Sequence, residues 1–233
     1  MTICMYDLAG ADPALRFSPY CWRTHMALKH KQLDFQTIAW RFTDTEVLAP
    51  YYAEGASRLV PVLTDDKGVV TDSWAIAEYL EEAYPGQPSL FEGEPGKRHA
   101  RFIKFWTENV LHPAISRMIV LDIHDCLDPK DRAYFRGSRE KRFGKTLEEV
   151  VADRETTRAE FLKTVSPLRS VLKEQPFVSG EGPAYADYVV FGAFQWARAV
   201  SRFEIVPADD PVSAWRDRML GLFDGYAATF PAA

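Results

Sequence analysis

Hydrophobic and polar residues follow different periods in different parts of this chain. In the first third, short runs rich in β-branched and aromatic residues predict strands at residues 2–8 and 35–40. Between these strands, Pro19 suits the first turn of a helix, and Trp22, Met26 and Leu28 give that helix an apolar side. The pattern therefore opens as strand, helix, strand.

A hairpin and a second clear helix follow. In LVPVLTDDKGVVTDS, residues 59–73, two apolar runs flank the turn sequence DDKG. Apolar residues then recur at helical spacing from residue 72 or 73 to about residue 84. With an irregular segment before the hairpin, these elements predict a small sheet covered by helices.

A boundary is predicted at residues 86–96, which are rich in proline and glycine. Beyond it the pattern is helical almost throughout, with helices expected over about residues 97–122, 147–173, 187–202 and 212–223. We therefore predict an α/β domain at residues 1–85, a linker at 86–96 and an all-helical domain at 97–233.

Composition narrows the function. The 233 residues are 47% hydrophobic and carry a net charge of −5, which argues against nucleic acid or an anionic membrane as the main partner. No run of about 18 apolar residues predicts a membrane span, and the N-terminus lacks the basic lead of a signal peptide. Three cysteines do not form a disulfide framework, so we predict a reducing, cytoplasmic location.

Two positions around the hairpin are candidates for binding. Pro61 lies where a strand should begin, and a cis Val60–Pro61 bond would expose the backbone of Val60 to a peptide-like ligand, although an ordinary edge proline is the commoner case. Asp72 and Ser73 lie at a helix N-terminus. Capping alone explains either residue, but the same N–H groups favour a ligand carboxylate, while Asp72 suits a ligand ammonium.

Ser18 and Cys21 open the first helix and raise the question of which of them acts. Ser18 would cap the helix, and its place at the positive helix end also suits a hydroxyl that donates to a bound thiolate. Cys21 has no cysteine at position 18 to form a C-x-x-C pair, and its place in the helix predicts burial. We interpret Cys21 as a packing residue.

No metal site is predicted. The segment LDIHDCLD, residues 121–128, collects potential ligands, but their spacing matches no zinc pattern and a polar helix end is the preferred interpretation. The chain also lacks a glycine-rich phosphate loop, an H-E-x-x-H motif and a G-x-S-x-G motif.

Together these features resemble the cytosolic glutathione transferases over essentially the whole chain. VPVL followed by DSW matches the family's cis-proline and γ-glutamyl-binding motifs. SPYCWRTHMALKHK, VVTDSWAIAEYLEEAYP and GSREKRFGKTLEEVVADRE are similar to the bacterial glutathione-dependent β-aryl etherases of lignin catabolism and their fungal etherase-like relatives. The resemblance implies a thioredoxin-like N-terminal domain, an all-helical C-terminal domain, a homodimer and glutathione as co-substrate.

The resemblance also implies roles for individual residues, with Ser18 holding the glutathione sulfur. The residues implied for the rest of glutathione are Val60 beside a cis Pro61 for the cysteinyl backbone, Asp72 and Ser73 for the γ-glutamyl end, and Arg58 or Arg41 for the glycyl carboxylate. One departure concerns the family's capping box, which places Ser or Thr three residues before Asp. Here Ala184 precedes Asp187, so we expect Asp187 to cap its helix by a different bond.

The second substrate is expected between the loop at residues 8–17 and the first long helix of the second domain. The residues predicted to line this pocket are Phe102, Phe105, Trp106, Asn109 and His112. There the glutathione thiolate would attack a hydrophobic aromatic molecule; in a β-etherase, the attacked carbon adjoins a ketone and a phenolate leaves. Three alternatives stay open: a non-catalytic module that binds glutathione and aromatics, a reductase that uses Cys21, and a structural assembly module.

Overall fold

One mixed four-stranded sheet is built from the first part of the chain, in a computed structural model that describes residues 2–233. Its strands are β1 (Ile3–Leu8), β2 (Phe35–Trp40), β3 (Val62–Asp65) and β4 (Gly68–Thr71). Their order is β2-β1-β3-β4, with β1 parallel to β2 and β3 antiparallel to both of its neighbours. The two predicted strands and the predicted hairpin are confirmed.

Two α-helices and a short 3₁₀ segment complete this part of the chain. They are α1 (Pro19–His30), the 3₁₀ segment Thr45–Tyr51 and α2 (Ser73–Ala83). Both α-helices begin at a side-chain cap: Ser18 accepts from the backbone N–H of Cys21, and Asp72 accepts from that of Trp74. The mixed sheet with its helices is a thioredoxin-like arrangement, as expected.

The rest of the chain is helical. Its helices are α3 (Glu94–Trp106), α4 (His112–Cys126), α5 (Pro129–Phe143), α6 (Leu147–Ala152), α7 (Arg154–Thr164), α8 (Ser166–Glu174), α9 (Tyr185–Val200) and α10 (Pro211–Gly225). The predicted fold class, an α/β domain followed by an all-helical domain, is confirmed. Among residues 2–233, no helix is both long and apolar enough to cross a membrane.

The helix expected over residues 97–122 differs from the prediction in two ways. It begins earlier, at Glu94, because Pro95 occupies the first turn, where a proline is tolerated. It is also interrupted by a π-helical turn at Thr107–Leu111 that joins α3 to α4. A π turn adds a residue to the helical repeat, so the faces on either side of it are rotated relative to a continuous helix.

Helix α5 was not predicted at all. Its sequence, PKDRAYFRGSREKRF, is strongly polar and bears only one deeply buried apolar residue, Phe135. Its end signals are nevertheless clear: Asp128 caps the first turn, Pro129 follows it, and Gly144 takes the left-handed conformation after the last turn. A search for apolar periodicity misses such a helix, whereas a search for its caps would find it.

Helix α1 lies between the sheet and the helical domain, and nine of its 12 residues are buried. It packs closely on α9: a Cβ atom added at Gly192 would lie 2.3 Å from the carbonyl oxygen of Pro19. The C-terminal part of the chain also contacts α1. The Tyr226 hydroxyl forms a hydrogen bond with His25, and the ring of Phe230 packs edge-on against Trp22. Helix α1, which begins at Ser18, is thus held from several sides.

Asp187 organises the start of α9 without the hydroxyl of a capping box. Its carboxylate accepts from the backbone N–H groups of Val178 (2.7 Å), Ser179 (3.1 Å) and Ala184 (3.3 Å) and from the indole of Trp215 (3.0 Å). The bond from Ala184 is the half of the box that alanine can still form. Asp187 therefore caps α9 through the ordinary backbone half of the box, and its bonds to Val178 and Ser179 are additional contacts to the preceding loop.

Candidate functional site

A large cavity of about 980 Å³ opens where the N-terminus of α1 faces the helical domain. One wall contains Ser18, Arg58 and Val60 from the sheet domain and its loops. The opposite wall comes from α4 and α5 and includes His112 and Phe135. The cavity has the size of a binding site for small molecules, and it joins three of the residues expected to hold glutathione (Ser18, Arg58 and Val60) to an aromatic compartment.

Ser18 lies at the point where α1 meets the cavity. Its side chain is 4% exposed and accepts from the backbone N–H of Cys21 at 3.2 Å. Since a hydroxyl carries one donor as well as its acceptor lone pairs, the cap leaves the Ser18 proton free to be donated. The partial positive charge of the helix N-terminus acts at the same place.

Cys21 is fully buried, and burial, followed by the charge of Asp7, raises the pKa of its thiol well above the usual range. A hydrogen bond involving Ser18 opposes this effect but does not outweigh it. A thiol that neither reaches the cavity nor ionises easily is a poor nucleophile. The predicted burial of Cys21 is confirmed.

The hairpin and α2 place the other candidates for glutathione. The Val60–Pro61 bond is cis, as the family resemblance implies. Asp72 has a φ of +75°, a region that non-glycine residues rarely adopt, and its Oδ1 accepts from the N–H groups of Trp74 and Ala75 at 2.9 and 3.1 Å. Its second oxygen remains available to a ligand.

Ser73 is the first residue of α2 and is 1% exposed. Its carbonyl accepts from the hydroxyl of Tyr185 at 2.7 Å, which joins α2 to α9. Its own hydroxyl oxygen is buried without a hydrogen-bond partner among residues 2–233. An unpaired buried polar group of this kind is uncommon in folded proteins, and neither Ser73 nor Asp72 is among the residues that line the cavity.

The two arginines considered for the glycyl carboxylate lie in different surroundings. Arg58 lines the cavity, with its guanidinium held by Glu46 at 2.9 Å. Arg41 is not among the lining residues; it donates to the carbonyls of Gly10 and Ala11, both at 3.1 Å. Only Arg58 is therefore placed to meet a ligand in the cavity.

Most of the residues predicted for the acceptor pocket lie outside the cavity. Of the five, only His112 lines the cavity, whereas Phe102, Phe105, Trp106 and Asn109 do not. Phe102 and Phe105 are 68% and 54% exposed, and the side chain of Asn109 donates back to the carbonyl of Phe105. The prediction assumed one continuous helical face, but the π turn at Thr107–Leu111 separates the face of α3 from that of α4.

Comparisons with known proteins agree with this geometry. The family model "Glutathione S-transferase, C-terminal domain" matches residues 99–219, and the model "Glutathione S-transferase, N-terminal domain" matches residues 17–83. The chain belongs to the glutathione S-transferase family. The family resemblance seen in the sequence is thereby confirmed, and glutathione is the co-substrate from which this family takes its name.

Individual relatives of this glutathione S-transferase are distant. The probable glutathione S-transferase GSTU6 of Oryza sativa subsp. japonica is 26% identical over 211 residues, covering 86% of this chain and 80% of its own. The crystal structure of a glutathione S-transferase of Ceriporiopsis subvermispora in complex with glutathione has a TM-score of 0.77 at 24% identity, with 99% of both chains covered. Glutathione transferase GSTFuA3 of Phanerochaete chrysosporium also has a TM-score of 0.77, at 25% identity, covering 99% of this chain and 94% of its own.

Sequence reasoning missed most of the acceptor side of the cavity in this glutathione S-transferase. The lining includes aromatic residues from β2, the loop after it, and helices α1, α5 and α9, namely Tyr20, Trp40, Phe42, Tyr134, Phe135 and Trp196. Helix α5 also contributes Arg139 and Arg142. The signal that could have found them is the capped but polar segment at residues 128–144.

His112 lies on the cavity wall between two rings, edge-on to Tyr20 at 5.3 Å and to Trp196 at 5.8 Å. Burial, with a smaller contribution from the charge of Arg23, lowers the pKa of His112 to about 3. The imidazole is therefore neutral near pH 7 and contributes no charge to the cavity. No cluster of three or more metal-ligating side chains is found in the part of the chain that the structure describes.

Proposed function

We propose that this glutathione S-transferase uses Ser18 to activate the thiol of glutathione for attack on an electrophilic carbon of an aromatic molecule. The observation that carries the proposal is the position of Ser18, which caps α1 at the wall of a cavity whose other side is aromatic. The nucleophile belongs to the co-substrate, so the protein itself needs no reactive side chain. The full burial of Cys21 argues against the reductase alternative.

Ser18 needs to supply little free energy for this role. A thiol with a pKa near 8.5 is mostly protonated at neutral pH, and lowering the pKa by one unit takes about 1.4 kcal/mol. A hydrogen bond from a hydroxyl to an anion is worth about 1.5–3 kcal/mol, and the N-terminus of α1 adds to it. Together these two contributions are large enough to make the thiolate the main species.

The remaining contacts to glutathione are proposed at the hairpin and at the start of α2, where Val60 lines the cavity and Asp72 and Ser73 lie outside its lining. Val60, beside cis Pro61, would pair with the cysteinyl backbone, and the buried hydroxyl of Ser73 would donate to the carboxylate of the γ-glutamyl end. The free oxygen of Asp72 would bind the ammonium group. Arg58 is preferred to Arg41 for the glycyl carboxylate, because only Arg58 lines the cavity.

The finer proposal for the reaction is cleavage of a β-aryl ether next to a ketone. The thiolate sulfur forms a bond to the β-carbon, and the aryl oxygen departs with the bonding electrons as a phenolate. The resemblance of residues 137–155 to the etherases motivates this choice, and residues 138, 139 and 142 of that segment line the cavity. Conjugation of other aromatic electrophiles by the same thiolate is the broader form of the activity.

We propose a homodimer on the basis of two residues that were predicted for the acceptor pocket but lie outside the cavity. Phe102 and Phe105 expose large apolar rings one turn apart on α3, and Val69 on β4 is 48% exposed. A second copy of the chain would cover these rings, as the family resemblance implies. Sedimentation equilibrium of the wild type and of Phe105→Ser tests this point, with dissociation expected for the variant.

The central experiment compares wild type, Ser18→Ala and Ser18→Thr in turnover of a β-aryl ether ketone with glutathione. Removing one bond to a charged group should lower the rate about ten- to a hundredfold and shift the apparent thiol pKa upward, towards that of free glutathione. Ser18→Thr should restore both, because it keeps the hydroxyl and the cap. Ser57→Ala is the control, since Ser57 also lines the cavity but is exposed and caps no helix.

An unchanged rate and thiol pKa in Ser18→Ala would remove Ser18 from the mechanism. Binding of glutathione and the ether without turnover in the wild type would instead support the non-catalytic binding module.

A further inference from the structure

The charges that line the cavity are strongly unequal. Its ionised side chains are four arginines and one glutamate: Arg58, Arg117, Arg139, Arg142 and Glu108. Glu108 is already paired with Arg23 at 2.7 Å and with Lys104 at 2.9 Å, and Arg58 is paired with Glu46. Within residues 2–233, no carboxylate lies within ion-pair distance of the other three arginines. The acceptor side of the cavity therefore has an excess of positive charge.

Arg139 is the most constrained of these three arginines. Its guanidinium carbon lies 4.6 Å from the ring centre of Phe135 and 5.6 Å from that of Phe42, and its Nη1 donates to the Ser138 hydroxyl at 3.0 Å. Burial, and after it the nearby charge of Arg142, lowers the pKa of Arg139. A half-buried guanidinium without a counter-ion is costly to the free protein, and most of its five donors remain unused.

A row of neighbouring aromatic rings runs from Ser18 to Arg139. Phe17 directly precedes Ser18, and its ring centre lies 6.4 Å from that of Phe42. Phe42 in turn lies 5.6 Å from Phe135, next to Arg139. Phe17 and Phe135 are only 1% and 2% exposed, so these rings form the backing of the cavity between Ser18 and the guanidinium.

We propose that the acceptor substrate is an aromatic molecule that carries a carboxylate, and that Arg139, assisted by Arg142 and Arg117, binds this group. The planar guanidinium fork matches a carboxylate in two parallel hydrogen bonds and is the side chain best suited to it. The carboxylate takes no part in bond breaking; it fixes which end of the ring faces the thiolate. This proposal rests on the proposed function and adds the chemical class of its second substrate.

The test uses two electrophiles with the same reacting carbon, 4-chloro-3,5-dinitrobenzoate and its methyl ester. In both, the glutathione sulfur replaces chloride, which leaves with the bonding electrons. After division by the uncatalysed rates, kcat/KM for the acid should exceed that for the ester about ten- to a hundredfold. Arg139→Met should remove most of this preference by raising KM for the acid. Lys141→Met is the matched control, because it removes the same charge from an exposed position of α5 outside the cavity.

Calorimetry with the unreactive 3,5-dinitrobenzoate and its methyl ester measures the same preference without turnover. Tighter binding of the acid, weakened at least fivefold in Arg139→Met and in Arg142→Met but not in Lys141→Met, supports the proposal. Equal binding of acid and ester by the wild type overturns it, even where both chloro compounds are turned over. Absence of turnover for both chloro compounds contradicts the proposed function, while the calorimetric comparison still decides whether the cavity prefers an anion.

Discussion

Arg23 on α1 and Glu108 in the π turn form an ion pair of 2.7 Å, with the arginine side chain 1% exposed. The pair ties the helix that begins at Ser18 to the junction of α3 and α4. Burial acts to raise the pKa of Glu108, but hydrogen bonds from Arg23 and Lys104 outweigh it and lower the pKa. The carboxylate is therefore held in its charged form beside the buried guanidinium.

Glu108→Ala should lower the free energy of unfolding by about 3 kcal/mol, because it leaves the Arg23 charge buried without a partner. The double variant Arg23→Met/Glu108→Leu should regain much of this loss, since it removes both charges. Lys104→Met should cost about 1 kcal/mol or less, because it affects a more exposed pair of the same carboxylate. Urea unfolding of the wild type and the three variants measures these free energies. Equal losses of stability for Glu108→Ala and the double variant would contradict the prediction.

Two helical glycines should respond oppositely to alanine. In Gly192→Ala the new Cβ would lie 2.3 Å from the carbonyl oxygen of Pro19, so α1 and α9 must separate, at a cost of about 1–3 kcal/mol. In Gly137→Ala nothing lies within 4 Å, and the usual gain of about 0.5–1 kcal/mol is expected. Thermal unfolding measures both. Because Pro19 follows Ser18, Gly192→Ala should also reduce glutathione-dependent turnover, and a more stable Gly192→Ala would show that the close approach of the helices is unimportant.

The substitution Asp72→Asn tests the role of Asp72 as a helix cap separately from the role of its negative charge. The amide oxygen of asparagine still accepts from Trp74 and Ala75, and asparagine tolerates a positive φ, so the melting temperature should change little. Loss of the carboxylate charge should weaken glutathione binding about tenfold in calorimetry. An affinity equal to that of the wild type would mean that Asp72 serves only α2.

Cys21 should be dispensable for turnover and inert to thiol reagents. Cys21→Ala removes one buried sulfur, for an expected loss of about 1–2 kcal/mol in stability with the rate largely retained. In the native protein, mass spectrometry after maleimide treatment should find modification at Cys4, which is partly exposed, well before Cys21. Abolished turnover in a folded Cys21→Ala would favour the reductase alternative.

His112 makes stability depend on pH in the weakly acidic range. Its pKa is lowered to about 3 in the folded protein, against about 6.5 in the unfolded chain, so the unfolded state binds more protons between these values. The contribution is fully present above pH 6.5 and is lost as the pH falls, by up to about 2 kcal/mol between pH 6.5 and 5. His112→Phe should flatten this part of the stability curve relative to the wild type. Identical slopes for the two proteins would contradict a buried neutral imidazole.

The parts of the fold that the sequence predicted well are those with an apolar period or clear turn chemistry. Strand β2 and the hairpin fall at the predicted residues, and Ser18 and Asp72 cap the predicted helices. Helix α5 was missed because its sequence is polar on nearly every side, although Asp128 and Gly144 mark its two ends. Apolar periodicity reveals a helix only where one of its faces is buried, and α5 buries few of its side chains.

The acceptor side of the cavity shows a second limit of prediction from the sequence. Phe105 and His112 are seven residues apart, which places them on one face of a regular helix, yet only His112 reaches the cavity. The π turn between them ends just before Pro113, whose missing N–H cannot donate to the carbonyl one turn back, so this proline is the sequence signal of an irregular helix that the prediction passed over. Arg139 could not be placed from sequence, because its contact with Phe42 joins residues almost a hundred positions apart. Long-range contacts of this kind arise only in the folded chain.

The position of α1 has a consequence for how the protein is made. Residues 19–30 leave the ribosome early, but the surfaces that cover them, on α9 and at Tyr226 and Phe230, are synthesised some 160 to 200 residues later. Until then Trp22 and its apolar neighbours lack part of their cover, and exposed apolar surface of this kind favours aggregation of an incomplete chain. The helix that opens the candidate site therefore reaches its final environment only when synthesis is nearly complete.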